Sequence, residues 1–280
     1  MTSYTAQSRE AGRADLAMNA RRDRWWVEPL IFAVTFGLFV IYTTYRTFEN
    51  QYYVLRPDNP LGGGAFILSP FYSPLVPLNL QVSVPLLGVK TISPAIYILV
   101  FPLAFRMTCY YYRKAYYRSY FLDPPGCAVP EPLAKPRMRY TGERAFPFIL
   151  QNLHRYAFYI AVVFIVILTY DAVLTFIYTD PVTGQKSFGM SLASLVFMVN
   201  IVLLAAYTFG CHSCRHLVGG GVDCYSCSAL NRTRHGLWRQ VTYLNERHAQ
   251  FALSSMIWVG LTDLFVNLVA RGILPNVRFF

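Results

Sequence analysis

The chain has 280 residues, of which 55% are hydrophobic, 16% aromatic and only 14% charged. Its mean hydropathy of +0.34 excludes an ordinary soluble domain and points to an integral membrane protein. The formal net charge of +11 is clustered by loop, so it reads as membrane topology rather than as a nucleic-acid-binding surface.

In chain order, residues 1–28 predict a basic tail with an interfacial helix. The tail carries Arg9, Arg13, Arg21, Arg22 and Arg24 but no apolar signal-peptide core. Trp25 and Trp26 mark the membrane boundary. A first span covers about 29–45, with Pro29 suited to a first helical turn. Residues 46–90 contain Pro57, Pro60, Pro70, Pro74, Pro77 and Pro85 and the Gly62–Gly64 run. This stretch cannot be one helix, and it is apolar enough to lie on the membrane surface. A second span covers 92–111, with a kink expected at Pro102. A basic, proline-rich loop follows over 112–150, with Arg113, Lys114, Arg118, Lys135, Arg137, Arg139 and Arg144. The third span covers 153–178, and a turn holds Asp180, Pro181 and Gly184. The fourth covers 188–209, a Cys/His loop occupies 211–227, a basic and partly helical stretch runs to 247, and the fifth span covers 248–270. The fold class is thus an all-α integral membrane protein: a five-transmembrane-helix bundle over 29–280 with a Cys/His-rich loop.

Five spans put the termini on opposite sides. The N-terminal tail, the 106–155 region and the 211–247 region hold 19 of the 25 Lys/Arg residues. By the positive-inside rule these regions face the cytoplasm, with the C-terminus external.

The stretch CHSCRHLVGGGVDCYSC, Cys211 to Cys227, packs four of the six cysteines and two of the five histidines into one segment at the end of a span. Cytoplasmic thiols are normally reduced, so a disulfide framework is not expected. The pairs Cys211/Cys214 and Cys224/Cys227 have a spacing that suits zinc or an iron–sulfur cluster. Cys214-x-His216 reproduces the Cys-x-His loop of Rieske centres, in which two Cys and two His hold a [2Fe–2S] cluster. The second loop offers Cys224 and Cys227 instead, which leaves a second His to be found among His212, His235, His154 and His248. The expected metal residues are therefore Cys211, His212, Cys214, His216, Cys224 and Cys227. A closed zinc site that staples a membrane scaffold is the alternative. A membrane thiol–disulfide oxidoreductase is disfavoured by the cytoplasmic placement and the missing thioredoxin-like domain. Cys109 and Cys127 stand alone and read as packing or solvated thiols.

With five spans, this cytoplasmic stretch and no soluble domain, the chain resembles the membrane anchor of an actinobacterial-type succinate dehydrogenase, respiratory complex II. The resemblance implies a flavoprotein subunit and an iron–sulfur subunit docked on the cytoplasmic face of a plasma-membrane protein. It also implies reduction of membrane quinone, menaquinone by expectation, and leaves open an oligomer of the whole complex. Many complex II anchors hold haem b through histidines within their spans. Here no His sits in mid-span, so a haem would have to lie between His154 and His248, and a haem-free anchor is preferred.

A quinone head needs hydrogen-bond donors and aromatic walls near headgroup level, and His154, Arg155, Tyr156, Trp238, Arg239, Tyr243 and His248 supply them. Arg, Tyr and Trp are also simply enriched at membrane interfaces. Intramembrane carboxylates are costly and usually functional. At ~1.5 Å per residue, Asp171 lies about 25 Å from His154, and Asp263 about 22 Å from His248. With Asn200 nearer the middle, these two carboxylates mark a proton path or, on the plainer reading, helix-packing groups.

Overall fold

The computed structural model describes residues 24, 26–76, 80–84, 88–120, 148–180 and 182–280, with no side-chain description at 80–84, 88–92, 117 and 148. The tail expected to hold an interfacial helix lies outside them apart from Arg24 and residues 26–28. Trp25, Pro77, Pro85, Cys127, Lys135, Arg137, Arg139, Arg144 and Pro181 also lie outside.

Eight α-helices follow one another among the described residues: α1 (Val27–Glu49), α2 (Pro94–Thr108), α3 (Tyr110–Ser119), α4 (His154–Leu174), α5 (Leu192–Phe209), α6 (His212–Gly219), α7 (Ala229–Glu246) and α8 (His248–Ala270). Four of them, α1, α4, α5 and α8, are long and apolar enough to cross a membrane. The α2–α3 pair, bent by 78°, is a fifth span when taken together. α5 and α8 share the most extensive helix contact. α8 turns Ala252, Ser255, Met256, Thr262, Asp263 and Val266 into the bundle, and its small residues allow the close approach that membrane helices rely on.

Local sequence sets the boundaries. Ser93 caps α2 by accepting from the Ala95 amide, with Pro94 in the first turn. Ser191 and Ser194 form a capping box on α5. The second span does not break at Pro102, which lies inside α2. It breaks at Cys109, whose backbone is extended at φ −70° and ψ 130°. The third and fourth spans are shorter than expected. α4 ends when the Thr175 hydroxyl turns back to the Ala172 carbonyl at 2.7 Å. Residues 177–179 and 186–188 then pair as an antiparallel hairpin, β5 (Ile177–Thr179) with β6 (Lys186–Phe188). The Asp180 carboxylate shapes its turn by accepting from the Val182 and Thr183 amides.

The 50–76 region is not a surface layer. Its strands β1 (Val54–Leu55) and β2 (Ile67–Leu68) pair antiparallel and push Leu55, Ala65 and Ile67 into a core with Phe197, Phe265, Val266 and Val269. The Thr179 amide donates to the Gly64 carbonyl at 2.8 Å, and Asn276 Nδ2 donates to the Gly62 carbonyl at 3.1 Å. The region thus plugs one end of the bundle, because its alternating apolar residues are better buried between helices than against water. A third pair, β3 (Leu80–Val84) and β4 (Gly88–Ile92), leads into α2. A second core, with Phe105, Cys109, Tyr112, Tyr207, Cys211, Cys214, Ala252 and Met256, fills the opposite end.

Candidate metal centre

Four residues at helix boundaries meet in that second core. Cys109 is the break between α2 and α3, and Cys211 is the extended N-cap of α6. His154 opens α4 and His248 opens α8. His154 Nε2 lies 2.9 Å from Cys211 Sγ, and its Nδ1 lies 2.8 Å from the Thr108 hydroxyl. His248 Nε2 lies 3.4 Å from Cys109 Sγ, while its Nδ1 is buried without a partner among the described residues. The two thiol–imidazole pairs are joined by a run of rings. Phe105 stacks on His154 at 4.9 Å, Tyr207 stacks on His248 at 4.9 Å, and Phe105 meets Tyr207 edge-on at 5.3 Å.

This pocket is dry. Cys109 and Cys211 are 3% and 1% exposed, and burial, aided by the nearby Cys109 thiol, pushes the metal-free Cys211 thiol up to about 11. The Arg106 guanidinium lies over the Tyr207 ring at 4.7 Å, donates to the Ala252 carbonyl and the Ser255 hydroxyl at 3.1 Å each, and also bonds the Tyr112 hydroxyl. It sets a fixed positive charge beside the thiols.

Two thiols and two imidazoles are the donor set of a Rieske [2Fe–2S] centre, in which each iron takes two protein ligands. Among the described residues no three His, Cys, Asp or Glu side chains converge on a single ion, as a closed zinc site requires. Here the donors stand as two mixed Cys–His pairs, so a Rieske-like group, with both imidazoles on one iron, would require the His154 and His248 rings to turn towards each other. Each imidazole here faces a thiol, so loading the group exchanges two hydrogen bonds for metal bonds.

The Cys and His residues of 211–227 do not converge on one point. Cys211 and Cys214 face the core, but the chain then turns at Gly219–Gly221 and carries Cys224 and Cys227 outward. Those two are joined to each other as a disulfide. Gly219 is needed there, since an added Cβ would fall 2.3 Å from Trp238. His212 and His216 do share a face of α6, with Nε2 atoms 3.0 Å apart, but that face is exposed. Burial, with His216 and Arg215 nearby, lowers the His212 pKa. His235 is stacked between Tyr225 and Trp238.

The expected quinone contacts scatter. His154 and His248 belong to the buried quartet. Arg155 and Tyr156 point away from the bundle, and Arg239 and Tyr243 lie on the exposed face of α7. Trp238 packs under the Arg215 guanidinium at 4.9 Å. The two carboxylates sit at the plugged end and do not touch. Asp263 is fully buried and accepts from Arg46 Nε at 2.7 Å, from the Tyr42 hydroxyl at 2.6 Å and from Ser69. Asp171 accepts from Ser73. Asn200 is buried with its Oδ1 unpartnered among the described residues.

Sequence reasoning missed Cys109, which it set aside as a packing thiol, together with Thr108, Phe105 and Tyr207. The available signal was position: Cys109 lies at the same end of its span as His154, Cys211 and His248.

The profile of a family described as actinobacterial succinate dehydrogenase subunit SdhC matches residues 27–272. A search of curated proteins finds no match. Among solved structures, a chain of the Mycobacterium smegmatis Sdh1 complex in the apo form is similar, with 40% identity and a TM-score of 0.75. The match covers 93% of this chain and 94% of that one.

Proposed function

The chain belongs to the actinobacterial succinate dehydrogenase SdhC family, and on that footing we propose that it carries electrons from the complex's iron–sulfur subunit to membrane quinone, menaquinone by expectation. As the membrane-anchor subunit of a succinate dehydrogenase it works beside other Sdh subunits. In our reading the flavoprotein and iron–sulfur subunits sit on the cytoplasmic side. The end bearing Cys109 and Cys211 faces that side, because most of the Lys and Arg residues lie there.

The observation that carries the proposal is the meeting of Cys109, His154, Cys211 and His248 in one dry core. These four, rather than the 211–227 stretch alone, are the residues that would hold a Rieske-like [2Fe–2S] cluster. When bound, such a cluster supplies one-electron transfer at a potential raised by its imidazole ligands. The chain's own residues do the rest. Thr108 and Phe105 fix the His154 ring, and Tyr207 fixes that of His248. Phe105, Tyr112 and Met256 exclude water. Both thiols give up their protons when a metal takes them, and Arg106 offsets the added negative charge.

The test is iron and acid-labile sulfide analysis of the purified complex, wild type against Cys109→Ser. The variant is expected to assemble, to oxidise succinate with a soluble dye and to lose two irons together with quinone reduction. Unchanged iron content and unchanged quinone reduction would overturn the proposal.

A further inference from the structure

A cleft of about 80 Å³ opens between the start of α1, α3 and the start of α8, on the outer side of the core that holds the quartet. Glu28, Phe32, Tyr111, Lys114, Arg118 and Ser119 line it. We propose that this cleft binds the phosphodiester of a phospholipid headgroup.

Charge is the first argument. Lys114 and Arg118 stand one turn apart on α3, on one face of the helix, and neither has an ion-pair partner among the described residues. Glu28 lines the same cleft, which leaves one positive charge in excess, the charge that one phosphodiester balances. The second argument is an unsatisfied donor. Ser119 Oγ is buried without a hydrogen-bond partner among the described residues, and such a group is normally satisfied. Size is the third. Organic ligands fill pockets of roughly 300–1,000 Å³, so this cleft accepts a phosphate-sized group and not a quinone ring.

Position fits a lipid. α3 leaves α2 at 78° and its sequence carries Tyr110, Tyr111, Tyr112, Tyr116 and Tyr117, the aromatic content of a helix at headgroup level. Basic pockets between membrane helices are known headgroup sites. α1 leaves Leu30, Val34, Leu38 and Ile41 exposed along its length, an apolar wall for acyl chains.

The shared chemistry of a lipid headgroup and a free phosphate is the phosphate itself, and the experiment separates the two. The purified whole complex is stripped of loose lipid and titrated with phosphatidylglycerol in mixed micelles or, separately, with inorganic phosphate. Bound species are counted by native mass spectrometry. The wild type is expected to retain phosphatidylglycerol in the presence of excess inorganic phosphate. Each of Lys114→Gln and Arg118→Gln should weaken retention about five-fold, Ser119→Ala less, and Arg118→Lys little. Lys186→Gln at the opposite end is expected to change nothing. Equal retention by wild type and the Lys114→Gln/Arg118→Gln double variant would overturn the proposal. So would binding of inorganic phosphate with no retained lipid.

Discussion

The two ends of the bundle bury polar side chains in opposite ways. At the plugged end charge is buried and paired. Asp263 takes Arg46, Tyr42 and Ser69, while Glu49 takes both Arg46 and Arg271. Arg46 also reaches the Gln51 carbonyl at 3.0 Å, which ties the 50–76 plug to α1. At the other end two thiols face two imidazoles beside the single Arg106 guanidinium, and no carboxylate is among them. A closed network of opposite charges holds structure in place. Soft donors held by few and weak hydrogen bonds keep lone pairs ready for a ligand. On the proposed reading, this difference gives architecture to one end and chemistry to the other.

The assignment breaks most readily at Asp263. Asp263→Leu takes away one of the two carboxylates paired with the buried Arg46 guanidinium and leaves it only Glu49, at a cost of up to about 3–5 kcal/mol. The expected outcome is a lower thermal midpoint of the complex and faster proteolysis of the plug, with iron per assembled complex unchanged. A shift no larger than the ~0.5 kcal/mol of an ordinary surface substitution would deny Asp263 its structural role.

The chemical end answers to pH. In the metal-depleted chain the folded state holds the Cys211 thiol at about 11, above its ordinary 9. The folded state therefore keeps a proton that the unfolded chain releases. The thiol's contribution to stability is intact below pH 9 and is lost as pH rises from 9 towards 11. Denaturation followed across that window should show a larger loss in apo protein than in Cys211→Ser, where only the Cys211 share is missing.

Asp171 provides a smaller effect. Asp171→Asn changes one hydrogen bond to Ser73, worth about 1 kcal/mol, and should leave quinone turnover in energised membranes intact. A large fall in turnover there, and not in de-energised membranes, would revive a proton path. The smallest expected change is from Cys224→Ser/Cys227→Ser, which should keep full iron content because that pair lies outside the buried core.

Much of this was legible in the chain. The fifth span begins and ends where hydropathy put it, since α8 is apolar throughout and starts directly after the basic α7. The other ends drifted where local hydrogen bonding outweighed hydropathy: Thr175 closes α4 early, and residues 177–179, greasy enough to continue a span, pair as a strand instead. The plug was misread because its apolar residues fit a membrane surface and a buried cap equally well on composition. The Cys/His cluster drew attention to the end of the molecule where Cys109, His154, Cys211 and His248 meet, but not to Cys109. Nearness in sequence favoured Cys224 and Cys227, whereas Cys109 comes from another span and meets Cys211 only through helix packing. Spacing rules see ligands on one loop; they do not see ligands collected from four helix boundaries.

The most direct measurement is pulsed EPR on the reduced whole complex with ¹⁵N-labelled histidine. Two strongly coupled imidazole nitrogens are expected, and His154→Ala and His248→Ala should each abolish the two-imidazole signature while His216→Ala leaves it intact. A signature that survives both of those substitutions and vanishes in His216→Ala would contradict the assignment and return the centre to the 211–227 loop.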